Sequence, residues 1–304
     1  MKNKKNKKIR SPFFYVGDKY KLMPQLLKLF PSNINNYYEP FVGGGSSFLN
    51  VEASTYHLND IDLQIINLHK ELTRDTFENF LNRVYQIIDK YELSISLKGR
   101  IPSEELRTKY KKTYYAKYNK TAYIKLRDDY NAKSDKDYAM LYVLLIFGFN
   151  HMIRFNSTGQ FNVPVGNVDF NQNVYDALEH YFNFKDSHKL RFYNLDYYEF
   201  IKKIEFEKND FVYCDPPYLI SHSEYNKLWN EEEEEKLYKL LDYLNDKGVV
   251  FGISNLLTHK GETNKLLEKW MSKYNVYEIK SNYISRFDNT IKENSREVYI
   301  TNYE

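Results

Sequence analysis

Short apolar runs that end in polar residues recur along this chain, and their spacing predicts an α/β protein. Residues 36–50 have the pattern of a strand, a glycine loop and a helix, and residues 55–62 that of a second strand ending in acid. Further strands are predicted at 189–194, 210–214, 248–254, 275–281 and 296–303. Because open α/β sheets bind ligands at the carboxyl ends of their strands, the polar residues after these runs are candidates for a functional site.

Residues between 75 and 185 show a helical pattern instead. Apolar side chains keep helical spacing from Phe77 to Tyr91, and a buried helix, too short to span a bilayer, is predicted from Ala139 to Phe149. We therefore predict a mainly helical domain at 75–185, inserted into a sheet domain made of residues 1–74 and 186–304.

One helix carries a run of acidic residues. Asn230 is its predicted cap, Glu231 to Glu235 occupy its first turns, and Gly248 follows its end. Negative charge is favourable at a helix amino terminus, so the run is interpreted as helix-dipole compensation and solvation rather than as a metal site.

Composition narrows the class of protein. The chain has 304 residues and 42% hydrophobic content, which supports a folded core. A single cysteine excludes a disulfide framework, and the seven histidines lack metal-binding spacing, so no metal is expected. The first ten residues are charged without an apolar segment after them, and a cytoplasmic protein without membrane contact is predicted.

The net charge is only +3, but the cations are clustered. They are dense in residues 1–10 and again in residues 107–127, where tyrosines alternate with them. Such patches suit a polyanion such as nucleic acid. A solvated tail and a solvated helix face in a Lys-, Asn- and Tyr-rich chain are the alternative.

The stretch FVGGGSSF could hold a ligand. Without Cβ atoms at Gly43, Gly44 and Gly45, the backbone can turn sharply and approach a ligand closely. Asp60 ends the next strand, where an acid can accept hydrogen bonds from ribose hydroxyls. Together they favour a nucleoside-type cofactor over a structural turn, although the spacing is not G-x-G-x-x-G.

The stretch DPPY follows an apolar strand and suits chemistry on an amino group conjugated to a base. That nitrogen is poorly nucleophilic because its lone pair is delocalised into the ring. Asp215 and the carbonyl of Pro216 can accept hydrogen bonds from its protons. Pro217 stiffens the loop, and Tyr218 offers a flat face for stacking. An ordinary Asp-Pro-Pro turn is the alternative.

With FVGGGSSF before it, DPPY is similar to the motif of S-adenosylmethionine-dependent enzymes that methylate exocyclic amines of DNA bases. More narrowly, the chain resembles the Dam-type DNA adenine-N6 methyltransferases. Four further stretches carry the resemblance: FFYVGDKYKLMPQL, LNDID, FNHMIRFNSTGQFNVPVG and REVYITNY. It covers nearly the whole chain. It implies a Rossmann-like methyltransferase sheet with an inserted, mainly helical DNA-recognition domain, whose DNA-reading hairpin lies near 149–166.

The resemblance also implies two sets of binding residues. For S-adenosylmethionine they are Tyr15, Gly17, Lys19, Phe41, Gly43, Gly45, Asp60, Asp196 and Tyr197. For duplex DNA they are Phe149, Asn150, Met152, Arg154 and Pro164. Arg154 has support of its own, because arginine is the commonest bidentate partner of guanine. An ordinary loop acid at Asp196, and core positions for Phe149 and Met152, are the alternatives.

The reaction that the resemblance implies is methylation of N6 of a flipped-out adenine in a short duplex site, GATC being usual in the family. Many GATC-specific relatives carry basic residues after the hairpin, whereas Asn167, Val168 and Asp169 follow here, which leaves the recognition sequence open. Cys214 is predicted to be inert packing, which argues against cytosine-C5 methylation. Cytosine-N4 methylation, RNA methylation and a catalytically silent DNA-binding module are the alternatives.

Two aromatic residues after DPPY, Tyr225 and Trp229, are predicted either to lie on a loop that closes over the base or to belong to the core. Double-stranded DNA is the expected partner. A cognate restriction endonuclease and the oligomeric state stay open.

Overall fold

The computed structural model describes residues 8–221, 229–280 and 295–304, which form two compact units. The first unit takes in the described residues up to Tyr20 together with 43–49 and 62–187. The second takes in 21–42, 50–61 and the described residues from 188 to 304.

The strands all belong to one sheet in the second unit. They are β1 (Asn36–Glu39), β2 (Thr55–Asn59), β3 (Lys189–Tyr193), β4 (Phe211–Cys214), β5 (Val250–His259), β6 (Glu262–Thr263), β7 (Asn275–Ile279) and β8 (Arg296–Thr301). The order is β3-β2-β1-β4-β5-β8-β7, with β6 paired to β5. Strands β1 to β5 are mutually parallel, and β8 is antiparallel to both of its neighbours. This mostly parallel sheet confirms the predicted α/β class.

The helices divide between the two units. In chain order they are α1 (Met23–Leu26), α2 (Leu63–Arg74), α3 (Phe77–Lys90), α4 (Glu104–Lys109), α5 (Tyr114–Ala132), α6 (Tyr138–Phe147), α7 (Gln172–Ser187), α8 (Tyr197–Lys202), α9 (Glu231–Asp246) and α10 (Lys265–Trp270). Helices α2 to α7 lie in the first unit, and the others lie in the second.

The core of the second unit follows from the apolar pattern. Strand β4 is buried along its whole length, as expected of a central strand covered on both faces. The buried leucines of α9, among them Leu237, Leu241 and Leu244, pack against Val212 and Phe251 in the same cluster. Helix α9 begins at the predicted Asn230 cap, whose side chain accepts a hydrogen bond from the Glu233 amide.

The strand order reverses between β1 and β4. From β1 the chain proceeds to β2 on one side, and from β4 it proceeds to β5 on the other. When the loops after two adjacent strands run in opposite directions, a crevice opens at the carboxyl ends of those strands. Open α/β sheets bind ligands in this crevice. The sheet therefore provides a binding edge beside the segments that follow β1 and β4.

The first unit is helical. Residues 60–188, all of them described, form helices, turns and isolated bridges and contribute no strand to the sheet. At its centre, α6 is buried from Ala139 to Phe147. Phe13, Phe80 and Tyr181 are fully buried in this unit. The role of the predicted 75–185 insert as a DNA-recognition domain stays a prediction.

Two local predictions were wrong. The apolar helix ends at Phe147, not Phe149, because Gly148 adopts an extended conformation with ψ 156°. After the glycines, residues Phe48–Asn50 form a single 3₁₀ turn instead of the expected helix. In both regions the chain turns tightly within a few residues, and the spacing of apolar residues does not predict such turns.

The interpretation of the acidic run was wrong at one position. Glu234 is fully buried, and its carboxylate accepts hydrogen bonds from Asn255 Nδ2 at 2.9 Å and Asn264 Nδ2 at 2.8 Å, and also from Tyr238 and Trp229. Its neighbour Glu233 is half-buried. A single carboxylate of the run thus joins α9, β5 and the start of α10.

Among the residues that the structure describes, no helix is both long and apolar enough to cross a bilayer.

Candidate functional site

The DPPY loop leaves the carboxyl end of β4, beside the point where the strand order reverses. Pro216 is buried, while Asp215, Pro217 and Tyr218 are half-buried. Because β4 is buried throughout and pairs with β1 and β5, the loop begins from a rigid support. Its polar groups therefore face the binding edge of the sheet from a fixed starting point.

The tyrosine of this loop lies between two carboxylates. Tyr218 Oη lies 3.1 Å from Asp215 Oδ1 and 2.9 Å from Glu297 Oε1. Its single proton can be donated to one of them at a time. Glu297 lies on β8 and is only 1% exposed. Sequence reasoning identified the terminal strand but missed this residue, since nothing in the spacing connects Glu297 to a loop 79 residues away.

Cys214 is the last residue of β4 and is buried. Burial, reinforced by the negative charge of Asp215, raises the pKa of its thiol. A thiol that resists ionisation is a poor nucleophile, which agrees with the prediction of inert packing.

The neighbouring strands β2 and β3 also end in polar residues. Asp60 directly follows β2 and is half-buried, and its carbonyl accepts a hydrogen bond from Asn194 Nδ2 at 2.9 Å. Asp196 caps α8 by accepting a hydrogen bond from the Tyr198 amide at 2.9 Å. Asp196 therefore has a structural role of its own, whether or not it also contacts a ligand.

Three aromatic rings cluster at this edge of the sheet. Phe41 follows β1, and its ring centroid lies 5.1 Å from that of Tyr197 and 5.7 Å from that of Trp229. Trp229 donates its indole N–H to Glu234, and Tyr197 Oη lies 3.0 Å from a Glu233 carboxylate oxygen. The structure thus places Trp229 beside two predicted cofactor residues. Tyr225 and the lysines of residues 2–7, which were predicted to suit a polyanion, lie outside the described residues.

The chemistry of this edge fits a nucleoside. The half-buried rings of Phe41 and Trp229 offer flat apolar surface to a base, and the carboxylate of Asp60 suits ribose hydroxyls. Aromatic side chains with a few polar groups are the usual lining of cofactor sites.

In the first unit, the amino-terminal segment packs against the glycine loop. The Tyr15 side chain packs on the loop so closely that a Cβ on Gly44 would lie 2.8 Å from Tyr15 Cβ. Gly45 has a φ of +83°, and its Cβ would lie 2.2 Å from the Phe48 ring. Gly44 and Gly45 are therefore required by packing within the chain itself, apart from any ligand.

His69, which sequence reasoning did not single out, supports the same loop. It is fully buried on α2, where Nε2 lies 2.9 Å from the Gly43 carbonyl and Nδ1 lies 2.9 Å from Tyr181 Oη. The carbonyl can only accept, so Nε2 carries the proton and Nδ1 accepts from the tyrosine. Burial lowers the pKa of His69 to about 4, and the imidazole is neutral at pH 7.

The other predicted cofactor residues of this segment are Gly17 and Lys19. Gly17 has a φ of +83° and is exposed, and its carbonyl accepts a hydrogen bond from Lys19 Nζ at 3.1 Å. Lys19 is buried. The left-handed conformation explains a glycine at position 17, because other residues rarely adopt it.

The predicted hairpin is present at 148–166. Isolated antiparallel bridges join Gly148 to Val165 and Phe155 to Phe161. At its tip, Asn156 Oδ1 accepts hydrogen bonds from the Thr158 and Gln160 amides at 3.0 and 2.9 Å, closing a compact turn.

The residues predicted to contact DNA lie on the surface of this hairpin. Phe149 is 46% exposed, Asn150 and Pro164 are exposed, and Met152 and Arg154 are half-exposed. The exposure of Phe149 does not agree with a core position, whereas Met152 is partly buried. Asn150 also has a φ of 52°, in the left-handed region. Local strain of this kind is common at binding sites.

Arg154 is held by another residue of the hairpin. Its Nε donates to Asn162 Oδ1 at 2.8 Å, and one terminal nitrogen donates to the Asn162 carbonyl at 3.2 Å. These contacts restrict the guanidinium before any ligand arrives, which reduces the entropy lost when it binds.

Comparison with known proteins identifies a family. Residues 15–284 match a family model described as D12 class N6 adenine-specific DNA methyltransferase. The chain is 34% identical over 310 residues to the type II methyltransferase M.FokI of Planomicrobium okeanokoites, an alignment covering 99% of this chain and 44% of that protein. It is 33% identical to the modification methylase StsI of Streptococcus sanguinis, with coverages of 98% and 43%.

A third relative is the DNA adenine methylase of Haemophilus influenzae, which is 31% identical over 71% of this chain and 66% of its own length. The chain spans less than half the length of M.FokI and StsI.

Proposed function

The chain belongs to the D12 class of N6 adenine-specific DNA methyltransferases, and we propose that it transfers a methyl group from S-adenosylmethionine to N6 of an adenine in duplex DNA. The observation that carries this proposal is the pairing of Tyr218 with Asp215, 3.1 Å apart, in a loop fixed to the end of a buried central strand.

In the proposed reaction the loop makes an amino group nucleophilic. Asp215 accepts a hydrogen bond from the amino group of the adenine, which draws its lone pair out of conjugation with the ring. The base stacks on the Tyr218 ring, whose hydroxyl lies within hydrogen-bond distance of both Asp215 and Glu297 and can donate to either. Glu297 thus acts as a positioning residue, because it holds Tyr218 without touching the reacting atoms.

The second unit offers groups for the cofactor. We infer that Asp60 accepts hydrogen bonds from its ribose and that its adenine lies against the rings of Phe41, Tyr197 and Trp229. When bound, S-adenosylmethionine supplies an electrophilic methyl group. The roles proposed for Tyr15, Gly17, Lys19, Gly43 and Gly45 of the first unit rest on the sequence resemblance and on the packing of Tyr15 against the glycine loop.

We propose that the hairpin reads the DNA. The exposure of Phe149 supports a residue that wedges into the duplex as the target adenine leaves the stack, a step that costs a few kcal/mol. Arg154 would contact guanine in the major groove. GATC is the site that the resemblance implies and the first to be tested. A protein acting on DNA in this way would work in the cytoplasm of a bacterial or phage-infected cell, and a cognate endonuclease is a further proposal.

The test is methylation of unmodified genomic DNA by the purified protein with S-adenosylmethionine, read by long-read modification sequencing. We expect N6-methyladenine in a single short sequence. Methylation confined to GATC would support the site that the resemblance implies. Methylation in another sequence would indicate that Asn167 to Asp169 and their neighbours alter recognition. N4-methylcytosine would contradict adenine as the target, and an absence of modified DNA would contradict the proposed function.

The catalytic role of the loop has its own prediction. Asp215→Ala should abolish turnover, because the amine loses its hydrogen-bond acceptor, while binding of duplex DNA changes less than about threefold. Asp215→Asn keeps the shape and is the matched control for packing. Turnover and DNA binding are measured by tritium transfer and fluorescence anisotropy. If Asp215→Ala retained turnover, the proposed mechanism would be contradicted.

A further inference from the structure

One strongly cationic segment has no part in the function proposed above. From Leu106 to Arg127 every charged side chain is positive, and the segment includes the end of α4 and most of α5. Its exposed lysines nearest the start of α5 are here called the lysine surface: Lys109, Lys111, Lys112, Lys117 and Lys120. Within the described part of the chain, none of these lysines forms an ion pair.

Two of these lysines lie near the same aromatic ring. Lys109 Nζ lies 5.6 Å from the centroid of Tyr110, and Lys117 Nζ lies 5.0 Å from the same centroid. The ring therefore joins the end of α4 to the second turn of α5. Like charges that have no ion-pair partner repel one another, and such a surface attracts a polyanion.

Helix α5 also supports the hairpin. Asn131 forms two hydrogen bonds with the Phe161 backbone, accepting from its amide at 2.8 Å and donating to its carbonyl at 3.0 Å. The buried hydroxyl of Tyr123 lies 3.2 Å from the Val163 carbonyl. Helix α5 thus carries Lys117 and Lys120 of the lysine surface and also supports the proposed DNA-reading hairpin.

The residues directly after the hairpin fix the start of this helix. Asn167 Oδ1 accepts hydrogen bonds from the Tyr115 and Ala116 amides at 3.0 and 3.2 Å, satisfying backbone donors in the first turn of α5. Asp169 is buried and accepts from the Ser96 amide at 2.7 Å. Asn167 is engaged in holding α5 and Asp169 in holding Ser96, and neither side chain carries a positive charge for phosphate.

We propose that the lysine surface is a second DNA-binding element, which contacts the phosphates of the duplex that the hairpin reads. This inference rests on the proposed function. Lysine is a flexible point charge, and most contacts that position a protein on DNA go to phosphate without reading sequence. The lysine surface therefore supplies affinity and orientation, while the hairpin supplies sequence preference.

The experiment compares two variants of the full chain. The first, K112Q/K117Q/K120Q, removes cations from the lysine surface. The matched control, K189Q/K208Q/K247Q, removes exposed lysines at or just before the amino ends of β3, β4 and β5, the sheet edge opposite the DPPY loop. Both variants lose the same formal charge, so any effect of net charge alone is equal in the two.

The measurement is binding of a short fluorescein-labelled duplex of arbitrary sequence by anisotropy, between about 50 and 200 mM salt. Each phosphate contact contributes about 0.9 to the slope of log Kd against log salt, so the first variant should lose about 2 to 3 from that slope. The control should keep the wild-type slope. Equal slopes for wild type and the first variant would overturn the inference, as would equal losses in both variants.

A second measurement needs no variant. Acetylation of the wild-type protein, followed by mass spectrometry, should show that duplex DNA protects Lys117 and Lys120 but leaves Lys208 and Lys247 reactive. Equal reactivity with and without duplex would overturn the inference, and so would protection by single-stranded RNA alone. Failure of the proposed function would show separately, as wild-type protein that binds DNA but methylates no adenine.

Discussion

At the scale of single residues, His69 shows how a buried polar group can hold a binding loop. The imidazole joins the Gly43 carbonyl to Tyr181 Oη, and both contacts are 2.9 Å long. Because the ring is fully buried, its charged form is disfavoured, which lowers the pKa of His69 to about 4. The glycine loop is therefore linked to the protonation state of a single side chain.

The pKa of His69 predicts a loss of stability in acid. The folded state binds the proton near pH 4, whereas an unfolded histidine binds it near pH 6.5, so the unfolded state holds more protons between these values. The contribution of His69 is complete above about pH 6.5 and declines by up to about 3 kcal/mol as the pH falls towards 4. His69→Gln should flatten the pH dependence of the unfolding free energy in this window, measured by urea denaturation at pH 5 and pH 8.

The control for this prediction is Tyr181→Phe. It removes one partner of the imidazole but leaves the titrating group, so it should lower stability at both pH values and keep the pH dependence. If His69→Gln retained the wild-type difference in unfolding free energy between pH 5 and pH 8, another group would be responsible.

At the scale of elements, the hairpin depends on a helix for its position. It contains only isolated bridges, and a hairpin of two short strands is marginally stable by itself. The bonds from Asn131 and Tyr123 connect it to α5. The folded conformation of the hairpin is therefore expected to depend on its contacts with α5.

Asn131→Ala tests this dependence. Loss of both hydrogen bonds to Phe161 should lower the unfolding free energy by about 1 to 3 kcal/mol. The amide of Asn162, which donates to the Arg154 carbonyl at 3.1 Å, should exchange its hydrogen faster. Thr121→Ala, on the exposed face of α5, is the control and should change neither quantity. Unchanged exchange at Asn162 in Asn131→Ala would show that the hairpin is stable without this support.

At the scale of the whole molecule, the residues proposed for cofactor binding are divided between the two compact units, whereas the proposed DNA-reading hairpin lies in the first. Asp60 and the DPPY loop belong to the second unit, and Arg154 belongs to the first. Residues that share no partner usually contribute independently to binding. Substitutions at Asp60 and at Arg154 should therefore act independently.

A double substitution tests this independence. Asp60→Ala should weaken binding of S-adenosylhomocysteine by about 1.5 to 3 kcal/mol, the range for a hydrogen bond to a charged group, and leave DNA affinity unchanged. Arg154→Ala should relax sequence preference by about 1 to 3 kcal/mol. In the double variant the effects on kcat/KM should add to within about 0.5 kcal/mol. Stronger coupling would mean that the hairpin also contributes to cofactor binding.

The sequence by itself determined which polar residues stand at the strand ends. Asp60 and DPPY are adjacent in the chain to buried apolar runs, and local hydrophobic pattern predicts both the strand and the edge at which it ends. The Asn230 cap was predicted for the same reason, since capping acts within a single turn. The resemblance added the hairpin, whose turn residues are also close together in the chain.

Only the tertiary structure decided which distant side chains support these groups. The contact of Glu297 with Tyr218 and that of His69 with Gly43 join segments far apart in the chain. Glu234 lies in a run of identical residues, yet it alone accepts bonds from both Asn255 and Asn264, which come from β5 and the cap of α10. Such pairings depend on how elements pack, and a local pattern of polar and apolar residues carries no information about that packing.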